Sequence, residues 1–195
     1  MQFYHFSLML AGVTADTADL EDSLFSHGCD DALICFYGKS VYLEFDRQSE
    51  SITQAVFSAI NDIESANLGA TVIAVDAHYV GLSDIASLSH MSRQAVTMLK
   101  DGTRGPGDFP SPIQRLSGSS PLWNWASVAE WLSSHGKLEA QIAQNAQILA
   151  DINLALQLRA TKGSRHVNHY LSLLEHPTQL AGFCQPTPAA KAHSH

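Results

Sequence analysis

The residues whose types and spacing suit a chemical task cluster between positions 92 and 119. Arg93, Gln94, Thr97 and Lys100 recur at intervals that place them on one side of an α-helix. An Arg fork matches the acceptor edge of guanine, a Gln amide matches adenine, and Lys or Thr can hold a phosphate oxygen. The chemistry of such a face is recognition of a DNA major groove, not bond-making. A solvated helix face has the same composition, so the surrounding elements have to decide. Bond-making signatures are missing: there is no Gly-x-Ser-x-Gly elbow, no Gly-rich phosphate loop with Lys and no His-Glu-x-x-His. No Cys has a persuasive His partner. The ten histidines are dispersed, and His166 with His169 lack a third ligand. Asp30 and Asp31 carry no His or Cys ligand spacing and read as a solvated acidic surface. The expectation is a chain that is not an enzyme and needs neither metal nor cofactor.

The elements that must position the 93–100 stripe are two short helices within residues 82–101. Ser83 is expected to cap a first helix burying Ile85, Ala86 and Leu88; Ser92 is expected to cap a second burying Val96 and Leu99. Met91 packs at the bend. His90 stands where such turns usually carry Gly, and His is one of the side chains that tolerate left-handed backbone. Gly102 ends the second helix, and Pro106, Pro110 and Pro112 mark a loop. Residues 113–116 and 121–124 then form a hairpin across Ser117, Gly118, Ser119 and Ser120. Residues 125–134 return as a helix with Trp125, Val128, Ala129, Trp131 and Leu132 available for packing. Trp123, Trp125 and Trp131 read as core, not as base-stacking platforms.

Helix, turn, helix, a Phe109-Pro110-Ser111-Pro112 loop, a Gly-Ser hairpin, Leu122-Trp123 and a Val128-Ala129-Glu130-Trp131-Leu132 helix form a long ordered pattern. Over residues 82–132, about a quarter of the chain, it resembles the winged helix-turn-helix of the MerR-like and excisionase-like (AlpA-like) DNA-binding families. Asp84-Ile85-Ala86 and Ser92-Arg93-Gln94-Ala95-Val96 carry the rest of the resemblance. It implies that the second helix enters the major groove through Ser92, Arg93, Gln94, Thr97 and Lys100. It also implies that the wing touches DNA through Arg115, Ser117, Gly118 and Ser119, with Arg104 as a phosphate contact between them.

The formal net charge of −8 argues against a nucleic-acid partner until it is divided along the chain. Residues 1–80 hold two basic side chains, Lys39 and Arg47, against twelve acidic ones, a balance of −10. The remaining chain is therefore slightly basic. The acidic segment alternates as a strand over residues 2–10, then takes a helix from Thr17 or Asp19 to about His27, with Leu20, Leu24 and Phe25 inward. A hairpin of strands 32–36 and 39–45 turns at Tyr37-Gly38. A helix over 51–67 follows, capped by Ser49 or Ser51, with Ile52, Ala55, Val56, Ala59, Ile60 and Ile63 on one stripe. Residues 71–75 close it as a strand. The order β-α-β-β-α-β is that of a ferredoxin-like α+β domain over residues 1–78. Its acidity and lack of a Gly-aromatic-Gly signature exclude an RNA-binding role.

Beyond the winged segment, 80–135, residues 137–176 are expected to be helical. Leu138, Ile142, Asn145, Leu149, Ile152 and Leu156 alternate at four and three, the rhythm of a coiled-coil seam, which points to a dimer; packing within the chain is the alternative. A short helix is expected over 165–175 with Val167, Tyr170, Leu171 and Leu174 on its apolar side, followed by a flexible tail over 177–195.

The 195 residues, 45% of them hydrophobic, are enough for one large or two small domains. Three scattered cysteines, Cys29, Cys35 and Cys184, do not make a disulfide framework, and no stretch is apolar enough to cross a membrane. A cytoplasmic protein is expected. The combined reading is a homodimeric transcriptional regulator, a repressor of its own operon, reading double-stranded DNA at an inverted repeat. A protein partner or small ligand would occupy the N-terminal domain. The alternatives are an antitoxin-like regulator, an excisionase-like DNA-bending factor and a protein-interaction adaptor that has lost DNA binding.

Overall fold

The computed structural model describes residues 1–76, 78–161 and 165–175. Cys184 and the tail expected over 177–195 lie outside them. The protein is a mixed α+β chain that divides into two compact units, residues 1–157 and 158–195.

The first unit begins with β1 (Gln2–Ala11), α1 (Leu20–Ser26), β2 (Ala32–Tyr37), β3 (Ser40–Ser49), α2 (Ile52–Ser65) and β4 (Thr71–Asp76). The four strands form one antiparallel sheet in the order β2-β3-β1-β4. Alternation sorts the side chains: Tyr4, Phe6, Leu8 and Leu10 of β1 and Val41, Leu43 and Phe45 of β3 point inward. They meet the stripe Ile52, Ala55, Val56, Ala59, Ile60 and Ile63 of α2 and Leu20 and Leu24 of α1. Ser51 caps α2 as expected, its hydroxyl accepting from the Gln54 N–H at 3.2 Å. Where β1 ends, Gly12 (φ +85°) runs against Gly69; a Cβ there would lie 2.2 Å from the Gly69 carbonyl oxygen, so only glycine fits.

Several local expectations are corrected. Asp19 stands at the N-cap of α1 with left-handed backbone (φ 54°), and its side chain makes no capping bond. Phe25 faces solvent. The hairpin turns one residue later than expected, at Gly38-Lys39, because Tyr37 pairs with Ser40. β3 runs on to Ser49 because Arg47 takes the next inward position after Phe45 and is itself buried.

Its guanidinium makes that burial tolerable. Nε and Nη2 donate to the two oxygens of Asp31 (2.7 and 2.8 Å), and Nη1 donates to Asp62 Oδ2 (2.8 Å) and Ser58 Oγ (3.0 Å). Nη2 also donates to the Gly28 carbonyl at 2.7 Å. The fork is thus met on every side by acceptors. Asp31, read as solvated surface, is a partner in this cluster.

A second hydrophobic core is built from β5 (Tyr79–Val80), α3 (Leu82–Leu88), α4 (Arg93–Lys100), β6 (Trp123–Asn124) and α5 (Trp125–Ser134). β5 and β6 pair antiparallel, and the Trp125 N–H donates to the His78 carbonyl at 3.1 Å. Trp123 and Trp125 are buried; Trp131 is half-buried with its indole N–H on Asp108 Oδ1 at 3.0 Å.

α6 (Ala140–Ala160) contributes to both cores. Ile152 and Leu156 join the sheet core with Ile148 and Leu149 beside them, while Ala146 joins the second core with Leu138 and Ile142. The side chains assigned to a dimer seam are therefore engaged within the chain, and Asn145 accepts from Gln141 Nε2 at 3.0 Å. Asn153, 3% exposed, holds the β4 edge as another strand would. Its Oδ1 accepts from the Val75 N–H at 2.9 Å and its Nδ2 donates to the Val75 carbonyl at 2.8 Å. In the second unit, α7 (Arg165–Glu175) forms where expected and exposes Tyr170, Leu171 and Leu174. Among the described residues no helix is long and apolar enough to cross a membrane.

Candidate functional site

α3 and α4 are joined by a tight turn over residues 89–92. The Met91 N–H donates to the Ala86 carbonyl at 2.9 Å, and His90 takes the left-handed conformation (φ 54°). Ser92 caps α4, its hydroxyl accepting from the Ala95 N–H at 3.1 Å. The first helix starts two residues earlier than its sequence suggested: Gly81, not Ser83, is the N-cap, and its N–H is received by Asp84 Oδ2 at 2.8 Å. Ile85, Val96 and Leu99 are fully buried between the helices and α5. Rotation of α4 is fixed by that packing, and Arg93, Gln94 and Lys100 face outward.

Only part of this outward face is free to bind. The Thr97 hydroxyl donates to the Arg93 carbonyl at 2.9 Å, and Lys100 is ion-paired with the adjacent Asp101. Ser92 spends its oxygen on the cap. Arg93 and Gln94, both exposed at the start of α4, remain available. Among the described residues Arg93, Arg104 and Arg115 are in no ion pair.

The hairpin that follows is short. Leu122 exchanges backbone bonds with Gln114, and the turn is closed by the Gly118 N–H on the Arg115 carbonyl at 3.0 Å. Arg115 leaves the ladder in a left-handed conformation (φ 54°), and Ser117, Gly118 and Ser119 are exposed at the tip. Arg93 and Ser119 line one small hollow of about 240 Å³, which Ser83, Asp84, Ser120 and Leu122 also line. Arg93, at the N-terminal end of α4, and the hairpin tip are thus brought together. Arg104 is held through its backbone, its N–H donating to the Met98 carbonyl at 3.1 Å.

No family model, curated protein or solved structure matches the chain.

The sequence reading missed Ser83 and Ser120, which share the Arg93 hollow, and the exposed Met98. Met98 lies four residues after Gln94, a helical interval that was there to be read. Ser83 and Ser120 carry no local signal, since their approach to Arg93 depends on how the hairpin returns.

A second polar region lies on the sheet face opposite α1 and α2. Asp76 is exposed there, but desolvation by the surrounding protein, together with the neighbouring Asp84, pushes its carboxyl above the usual range. His78 has no hydrogen-bond partner for its buried Nδ1, and desolvation lowers its pKa.

Proposed function

We propose that the chain is a sequence-specific DNA-binding transcriptional regulator, with residues 80–135 acting as a winged helix-turn-helix and residues 1–78 as a ferredoxin-like domain. The observation that carries the reading is the end of α4: Arg93 and Gln94 are exposed, unpaired and adjacent to the hairpin tip. This is what base-edge readout by an inserted helix requires. The left-handed His90 and the Ser92 cap support the helix-turn-helix, and the strand order β2-β3-β1-β4 supports the ferredoxin-like assignment. Arg104 and Arg115 are suited to phosphate. Arg93 and Gln94 read bases, Thr97 and Lys100 have secondary parts, and the chain acts as a dimer on an inverted repeat. With the α6 seam committed internally, Leu154 and Leu158 of α6 are apolar positions left exposed for dimer contact.

The Lys100–Asp101 pair favours a second reading, an adaptor without DNA affinity, because it removes one of the few basic charges on the face. Binding of the purified protein to the DNA upstream of its own gene, against a scrambled duplex at two salt concentrations, separates the two. Specific binding that weakens with salt supports the regulator; no binding at either salt supports the adaptor. Arg93→Ala is expected to cost about 1–3 kcal/mol and to relax preference at one base position. An equal loss on every sequence would make Arg93 a phosphate contact.

A further inference from the structure

The open face of the sheet carries a groove of about 620 Å³, within the size range of small-molecule sites. Its floor follows from the strand register. Ser7 of β1 is paired with Glu44 of β3 on one side and Asp76 of β4 on the other, so two carboxylates flank one small hydroxyl. β3 and β4, on either side of β1, are two spacings apart, about 10 Å, which leaves room above Ser7 for a group that touches both carboxylates. In the neighbouring row Met9 is paired with Tyr42, and Tyr37 and Tyr79 also line the groove. A second hollow of about 790 Å³ shares Ser7, Glu44 and Asp76 and adds Asp30, with Asp31 and Asp46, which are already paired with Arg47 and His5. Neither hollow is lined by Lys or Arg.

We propose that this groove is a binding site for a small organic cation with an apolar or aromatic body, its charged group seated over Ser7 between Glu44 and Asp76. The tyrosine rings and Met9 would pack against the body of the ligand, where aromatic faces attract a cation. An anion would face uncompensated carboxylates. The raised pKa of Asp76 fits the same picture, because a seated cation would relieve the repulsion and desolvation that now disfavour its charge. Binding does not depend on DNA; only its use as an effector signal rests on the regulator reading.

Titration calorimetry on the full chain without DNA tests the site, with benzyltrimethylammonium as probe against benzyl alcohol and benzoate. The cation is expected to bind with a sub-millimolar Kd and the other two at least about tenfold more weakly. Glu44→Gln and Asp76→Asn should each weaken the cation at least about fivefold and together abolish binding. Glu130→Gln, on the exposed side of α5, should leave it unchanged. Asp76 is exposed, is in no ion pair among the described residues and is repelled by Asp84, so Asp76→Asn is expected to melt no lower than the parent, and loss of binding in that variant is not loss of fold. Equal binding of benzyl alcohol or benzoate, an unaffected double variant, or no heat with the cation at about 5 mM would overturn the proposal. A failed DNA assay with intact cation binding would overturn only the regulator.

Discussion

Asn153 offers the clearest test of how the two hydrophobic cores are coupled. Its carboxamide replaces a missing fifth strand by pairing with both backbone groups of Val75, and its Nδ2 also donates to the Leu149 carbonyl at 3.1 Å. Asn153→Leu retains volume but leaves the Val75 N–H and C=O facing an apolar side chain. Each orphaned group costs about 1–3 kcal/mol, which gives about 2–6 kcal/mol for the pair. Asn153→Ala admits water and should fall at the low end. A domain of this kind has a total stability of about 5–15 kcal/mol, so the loss is a substantial fraction. With a urea m-value of about 2 kcal/mol per M, the midpoint of Asn153→Leu should fall by about 1–3 M. Hydrogen exchange gives a local readout: the Val75 amide should be protected in the parent and exchange rapidly in Asn153→Ala. A stability loss below about 0.5 kcal/mol, or an unprotected Val75 amide in the parent, would refute the strand-mimic argument.

Three further substitutions and reagents probe other points. Arg47→Met should destabilise by about 3 kcal/mol in chemical denaturation, because Asp31 and Asp62 lose their shared cation, and Arg47→Lys should recover little because an ammonium cannot serve so many acceptors at fixed angles. The Cys29 thiol is pushed up to about 12, chiefly by burial and then by Asp62. At pH 8 about one molecule in ten thousand carries it as thiolate, so in a Cys184→Ser background iodoacetamide should label the half-buried Cys35 first and Cys29 only on unfolding or at strongly alkaline pH. His90→Gly should raise stability by about 0.5–1 kcal/mol in thermal melts, since it relieves a left-handed side chain at an exposed turn; a lower melting temperature would mean that the imidazole is held by a contact worth more than that strain.

Much of the order of elements was legible because its signals are local. Alternation in β1, the α2 stripe, the Ser51 and Ser92 caps and the tolerance of His90 for positive φ all act within a few residues. The outward direction of Arg93 and Gln94 followed from the inward spacing of Val96 and Leu99 in the same helix. Other features required the folded chain. Arg47 fell beyond the strand expected over 39–45, because its burial depends on Asp31, Asp62 and Ser58 converging from other segments. The Asn153–Val75 pair spans 78 positions and leaves no periodic trace. The seam from Leu138 to Leu156 reported only that α6 has an apolar side; which surface covers it was decided by the two cores it joins. The cation groove is likewise a product of register, since Glu44, Ser7 and Asp76 are distant in sequence and become neighbours only when β3 and β4 pair on either side of β1. Local propensity specified the elements and their faces, whereas long-range pairing and desolvation decided which polar groups were consumed by the fold and which remained to bind something else.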